Sequence, residues 1–539
     1  MNGAEVITEI LRREGTEFLS CYPRNPLIES CAEIGIRPIL CRQERVGVAI
    51  ADGYSRTTNG KSIGIFAPQA GPGIENAFAG VAQAFSENIP LLVIPGGSPL
   101  SHQYTRPVFS ALDNYRHITK WAARLHNVRE IPRVMRRAYH LIRSGKSGPV
   151  LLEVPPEVWE GEFKGELDYT PPPSVRAAPD PSDLESAAKL LMEAHRPVIF
   201  AGAGILWAEA TDELVAVAEL LDAPVLTTNP GKSAFPETHP LSLGASAVSA
   251  SRPLSEYLMG ADLVFAVGSS LTTSPFNPNV PPGKRIVHAT NHEDDINKDQ
   301  AAEQALLGDA KLTLGMLADA MKERAKPTGD TAKAVKEAKN AWLAEWEKLL
   351  KSEEVPLNPY RIANELLNMV DRDNTIVTHD SGSPREQVVP FWETTKPRTY
   401  MGWGKSTQLG YGLGLNIGAK LAAPDKLCIN FMGDCAIGMV GMDIETAVRN
   451  DIATMTVVFN NGVMAVERSI LKVSDEKYGT MNVGGNYYEV AKGLGATAFR
   501  AEKPGEIVPT FKEAIAATED GKTVLVEFIT KENQDFSQY

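Results

Sequence analysis

Cysteine is scarce in this chain, five residues in 539, and Cys21, Cys31, Cys41, Cys428 and Cys435 lie scattered. An odd number with no ligand-like pair excludes a disulfide framework or a cysteine metal cluster, and implies reduced, mostly buried thiols in a cytoplasmic protein. Positive charge is in the minority, with 54 Lys and Arg against 67 Asp and Glu and a net charge of −13. That disfavours a nucleic-acid or anionic-membrane partner. No apolar run approaches the ~20 residues needed to span a bilayer. The opening Met1–Glu5 lacks the basic-then-apolar pattern of a secretory signal. Low-complexity tracts and short-period repeats are missing too. With 43% hydrophobic and 22% charged residues, the composition is that of an ordinary globular protein too long for a single core.

Proline marks the breaks. Thr170-Pro171-Pro172-Pro173-Ser174 and Ala178-Pro179-Asp180-Pro181 form a stiff, extended connector. A second break at Ala325–Asp330 precedes a charged, helix-favouring stretch to Glu353, then Pro356 and Pro359. The expected organisation is a first domain over 1–170, a linker at 171–183, a central domain over 184–326, a helical linker at 327–356 and a last domain over 357–539. Each domain alternates short apolar runs with amphipathic segments, which predicts α/β architecture with parallel sheets throughout.

The most informative stretch ends the apolar run Leu427–Met432 with Gly433-Asp434-Cys435, while Asn460-Asn461 ends the run Met455–Phe459. An amphipathic segment from Met442 to Asn450 separates them, so both polar groups lie at carboxyl ends of strands, where open α/β sheets bind ligands. A carboxylate and an amide oxygen there are hard ligands suited to Mg²⁺. A plain strand–helix–strand unit with turn-forming Asp and Asn accounts for the motif alone equally simply.

Two further motifs decide between these. Glu44 opens the run Arg42-Gln43-Glu44-Arg45-Val46-Gly47 through Ala51-Asp52-Gly53-Tyr54-Ser55-Arg56, and Ala70-Gly71-Pro72-Gly73-Ile74-Glu75-Asn76 follows a buried strand at Ser62–Phe66. In this order the three motifs resemble those of the thiamine diphosphate (ThDP) enzymes. The resemblance implies that Asp434, Asn461 and the carbonyl of Val463 hold Mg²⁺ on the cofactor diphosphate, beside Gly433. Cys435 stands where that family carries its second glycine. Glu44 would hydrogen-bond the aminopyrimidine ring, with Gly71, Gly73 and Asn76 in the pyrimidine-binding half. Leu409, before Gly410, would hold the two rings folded together.

The resemblance is strongest to acetolactate-synthase-like proteins, through Ile118–Trp121, Thr227–Lys232, Phe235-Pro236-Glu237, His239–Gly244 and Ala261–Gly268. Those enzymes bind FAD in the central domain, but their Arg-Phe-Asp-Asp-Arg segment is replaced here by Ser269–Thr273, which argues against FAD. The lone Gly202-Ala203-Gly204, with Trp207 in place of a third glycine, reads as packing in a strand–helix turn. On the substrate side, Asn25 falls where related decarboxylases place an acid, and Arg24 either meets a substrate carboxylate or is a solvated turn residue. Glu467 matches a proton-relay glutamate. His102 either stands in for absent paired histidines or is a surface-loop histidine. The implied activity is making or breaking the C–C bond beside a carbonyl in a small-molecule substrate. A decarboxylating carboligase or decarboxylase of a small 2-oxo acid comes first; a lyase or hydrolase of a diketone or acyl-CoA, or a silent ThDP-binding relative, are the alternatives. The resemblance further implies a homodimer at minimum and a homotetramer as a larger option.

Overall fold

The structure, a computed structural model, describes every residue except 104, 277, 324 and 326. The expected end of the central domain at 326, and Tyr104 of the His102 loop, fall outside the described residues. Three six-stranded sheets follow one another along the chain. The first comprises β1 (Phe18–Cys21), β2 (Arg37–Leu40), β3 (Gly64–Ala67), β4 (Leu91–Val93), β5 (Trp121–Arg124) and β6 (Val150–Glu153), in the order 2-1-3-4-6-5. The second holds β7 (Pro197–Ala201), β8 (Val225–Thr228), β9 (Ser242–Ser246), β10 (Leu263–Val267), β11 (Arg285–Thr290) and β12 (Gln304–Leu307), in the order 12-11-10-7-8-9. The third holds β13 (Thr375–His379), β14 (Tyr400–Met401), β15 (Leu427–Gly433), β16 (Met455–Asn460), β17 (Thr497–Ala501) and β18 (Val524–Ile529), in the order 14-13-15-16-18-17.

Neighbouring strands pair in parallel, as β13 Thr378 with β15 Asn430 and β16 Val458 with β18 Glu527 illustrate. Helices cover both faces, so the central strands read as unbroken apolar runs rather than alternating ones. β10, Leu-Val-Phe-Ala-Val, is buried at all five positions. The first and third sheets share one topology: strands 2-1-3-4-6-5 and 14-13-15-16-18-17 are the same order counted from each sheet's own first strand. In both, the chain leaves the first strand toward one edge and the third toward the other. The crevice between them is the switch point where such sheets take ligands.

Two helices join the outer sheets. Glu44–Thr57 crosses Tyr411–Ala422 at the closest range small residues allow. A Cβ on Gly53 would strike the Leu415 carbonyl, and one on Gly418 the Ile50 carbonyl. Gly414 faces Ala49 in the same crossing. Asp52, fully buried on the first helix, accepts from Tyr411 Oη at 2.8 Å and pairs with Arg56 one turn on. Its burial raises its pKa while Arg56 and Tyr411 oppose the rise. The central sheet is pinned to the third by a buried Lys232–Glu237 ion pair, 2.6 Å, whose carboxylate also accepts the Thr394 N–H. A buried pair of this kind fixes geometry more than it adds stability. Between Trp159 and Pro181 no regular element forms, and the charged stretch becomes the helix Asp330–Leu350.

Candidate active site

β2 delivers the chain to Glu44, the first residue of its helix. The carboxylate is only 4% exposed, and burial raises its pKa against the opposing pull of its own backbone N–H and Asn76. Asn76 Nδ2 donates to Glu44 Oε2 at 3.3 Å. Gly71 has φ +66, in the left-handed region that a side chain disfavours. A Cβ on Gly73 would press on Gln69 and stand 3.7 Å from Glu44 Oε1. Glu44, Gly73 and Asn76 therefore form one cluster, with bare backbone beside the free carboxylate oxygen.

The second cluster lies at the carboxyl ends of β15 and β16 in the third sheet. β15 ends at Gly433, and Asp434 opens the helix Asp434–Val440, where a negative charge suits the helix terminus. Asp434 Oδ1 accepts the Cys435 N–H at 2.7 Å; Oδ2 accepts those of Asn461 at 3.0 Å and Gly462 at 2.6 Å. Burial nevertheless raises its pKa, so this carboxylate stays short of positive charge. Asn461 Oδ1 accepts the Val463 N–H at 3.0 Å, and the Val463 carbonyl accepts from Ala465 at 3.0 Å. Asp434 Oδ1, Asn461 Oδ1 and the Val463 carbonyl each accept one bond and keep a lone pair. A carboxylate, an amide oxygen and a carbonyl, all hard and one of them desolvated, are a donor set that fits Mg²⁺. Cys435 is half-buried, and burial raises its thiol pKa, helped by Asp434.

Leu409 is half-buried and packs against the apolar cluster to which Ile437 and Val440 of that helix belong. Gly410 after it has φ +88, and a Cβ there would run into Val440. Among the described residues no hydrogen bond links the Glu44 cluster to the Asp434 cluster. They communicate at second hand: Asp443 accepts the Arg42 N–H at 2.8 Å, just before Glu44.

The substrate-side residues fare unevenly. Asn25 is buried and held by its side-chain amide. Its amide donates to the Pro68 and Ile94 carbonyls at 3.0 and 2.8 Å, and its oxygen accepts the Leu27 N–H. That ties the loop after β1 to the ends of β3 and β4 and leaves no amide hydrogen for a substrate. Arg24 is exposed in the same loop, with φ +66 and no ion pair or hydrogen bond among the described residues. His102 is exposed at the end of the short turn Leu100–His102 and makes no side-chain hydrogen bond among the described residues. Glu467 sits partly buried on the turn Ala465–Ser469, just past Asn461.

Gly202 and Gly204 are needed for packing, since a Cβ on either meets the Gly268 backbone. They also line a cavity of about 750 Å³ that reaches Trp207, Lys146, Asp295 and Lys405. The sequence reading passed over Asp380 and Asp443, two buried carboxylates whose pKa burial lifts to about 6. Asp380 carried a signal: it directly follows the apolar Thr375–His379 strand, at a carboxyl end.

Comparison with known proteins agrees with this geometry. Models of the thiamine pyrophosphate enzyme N-terminal TPP binding domain, central domain and C-terminal TPP binding domain match residues 1–118, 184–317 and 380–528. A probable acetolactate synthase large subunit of Methanococcus aeolicus is 29% identical over 96% of this chain and 91% of its own length. Glyoxylate carboligase of Escherichia coli O157:H7 is 27% identical, again over 96% and 91%. The acetolactate synthase large subunit of Corynebacterium glutamicum is 27% identical over 99% of this chain and 87% of its own. A desolvated glutamate after β2, an Asp–Asn pair at the carboxyl ends of β15 and β16 and three domain matches in chain order place this chain among the thiamine pyrophosphate enzymes, in the acetolactate-synthase-like group.

Proposed function

We propose that this enzyme cleaves or forms the C–C bond beside the carbonyl of a small 2-oxo acid, as a decarboxylating carboligase or a decarboxylase. ThDP, held at this site, would supply a nucleophilic carbon and an electron sink for the pair released with CO₂. Asp434, Asn461 and the Val463 carbonyl would hold Mg²⁺ on the diphosphate, with Gly433 and Cys435 alongside. Glu44, steadied by Asn76, would exchange a proton with the pyrimidine ring, and Gly71 and Gly73 would leave that ring its room. Leu409 would keep the rings folded, Arg24 would receive the substrate carboxylate, and Glu467 would relay a proton. The domain division given above, a homodimer or homotetramer and a cytoplasmic setting belong to the same reading. FAD stays outside it, on the replacement of the Arg-rich segment by Ser269–Thr273. The observation that carries the proposal is Glu44: a buried acid beside unobstructed backbone is costly to keep and has no use in a silent relative.

The central cavity favours a second reading. Its volume and its lysines, Lys405 and the Asp295-paired Lys146, suit a bulky anionic acyl carrier, which fits an acyl-CoA substrate. A product assay on protein reconstituted with ThDP and Mg²⁺ separates the two. Pyruvate, glyoxylate, longer and aromatic 2-oxo acids, and pyruvate with an aldehyde would be offered, and products read by mass spectrometry. CO₂ with a hydroxyketone or acetolactate is expected of a carboligase, and CO₂ with a free aldehyde of a decarboxylase. Absence of CO₂ from every acid would overturn the proposal in favour of acyl-CoA or diketone cleavage.

A further inference from the structure

The turn that carries Leu409 has an unusual tether. Asp380 follows β13 directly, fully buried, and its own N–H donates to the Phe431 carbonyl at 2.6 Å, fixing it beside β15. Its Oδ1 accepts the N–H groups of Gly410 at 2.8 Å and Ser381 at 2.9 Å, and its Oδ2 accepts that of Gly412 at 2.9 Å. One carboxylate thus grips the backbone immediately after Leu409 at two points two residues apart, at the N-terminus of the Tyr411–Ala422 helix. Two lesser ties flank it. Ser381 Oγ donates to the Thr407 carbonyl at 2.9 Å, and Trp403 Nε1 to the His379 carbonyl at 2.8 Å. Gly412 has to be glycine for the grip to close, because a Cβ would lie 2.5 Å from Asn430 Oδ1 and 3.1 Å from Asp380 Oδ2.

A carboxylate buried without a contacting cation is expensive, and a scaffold that needed only a turn here could make one with an amide. Two full acceptor oxygens with charge-assisted bonds are what an amide cannot supply. We propose that Asp380 is the positioning residue for Leu409: it holds the Leu409–Gly412 turn rigidly at the edge of the crevice and so sets how the cofactor rings are folded. The proposal rests on the reading of Leu409 given above.

The test uses Asp380→Asn in the full-length protein. Asparagine keeps one acceptor and turns an NH₂ toward an N–H that needs one. In cofactor-free protein, backbone amide exchange at Gly410 and Gly412, read by mass spectrometry of the peptide spanning 405–415, is expected to quicken about 10-fold or more. With ThDP and Mg²⁺, binding is expected to stay within about 3-fold of wild type while C2–H exchange into deuterated water slows roughly 10- to 100-fold, as misplacement without loss of contacts requires. Asp380→Glu, read in parallel in case the asparagine variant does not fold, keeps both oxygens on a longer stem. It is expected to keep the amides protected yet still slow C2–H exchange, because the turn is held in a shifted place. Unchanged amide exchange in Asp380→Asn, or wild-type C2–H exchange in both variants, would overturn the proposal. Leu409→Ala separates the causes: normal C2–H exchange there means that the reading of Leu409 has failed, whereas slow exchange there with normal exchange at Asp380 condemns the tether alone.

Discussion

At the scale of single residues, the two carboxylates in the proposed chemistry are buried for opposite ends. Burial raises the Asp434 pKa, but three backbone N–H groups oppose the rise and fix the carboxylate where a cation would sit. Glu44 has one amide partner and a raised pKa, the state of an acid that has to take and return a proton. Glu44→Gln should therefore leave ThDP binding within a few-fold of wild type while slowing C2–H exchange by about 10²-fold or more, the usual scale of lost acid–base help. Exchange at the wild-type rate would remove Glu44 from its role. Both residues stand out in the sequence because each ends an apolar run. The commitment of Asn25 to the Pro68 and Ile94 carbonyls does not, since those acceptors lie far along the chain and no local pattern announces them.

At the scale of elements, the entry into the Glu44 helix is held from outside its own domain. Asp443 lies on the turn Gly441–Asp443, accepts from Arg42 N and from Thr446 Oγ1 at 2.9 Å through one oxygen, and has no partner on the other. Burial lifts its pKa from 3.8 to about 6. A folded-state value above the unfolded one means that the folded protein prefers the protonated acid. Its contribution is thus fully present below about pH 4 and is lost as the pH rises through 6. Asp443→Asn, which cannot ionise, should gain on wild type by roughly 1–3 kcal/mol as the pH goes from 4.5 to 7.5. Denaturation midpoints of the two proteins across that range would check it, and a pH-independent difference would refute it. The sequence marks Asp443 only as an acid in an amphipathic stretch. The bond it makes joins residues 401 apart.

At the scale of the whole molecule, the Glu44 and Asp434 clusters belong to sheets of the same strand order, each at the carboxyl ends of strands, yet share no hydrogen bond among the described residues. Apolar side chains stand in solvent near both: Phe78 and Phe85 on the helix that carries Asn76, and Met439, Met442, Ile470 and Val473 around the Asp434 side. The homodimer proposed above would cover such side chains. Sedimentation velocity should give at least twice the 58.4 kDa chain mass, with one ThDP bound per chain. A monomer that binds ThDP and exchanges C2–H at full rate would refute the dimer. The sequence by itself determined the cofactor chemistry and the parallel α/β class. Motif residues at strand ends and unbroken apolar strands are local patterns, and local patterns survive in one dimension. Only the tertiary structure decided that the Asn25 amide binds the Pro68 and Ile94 carbonyls, that Asp380 grips the Leu409 turn, and that the glycines at 53, 414 and 418 let two distant helices touch. Each of these depends on which atoms meet across hundreds of residues, and long-range contact geometry is what folding alone supplies.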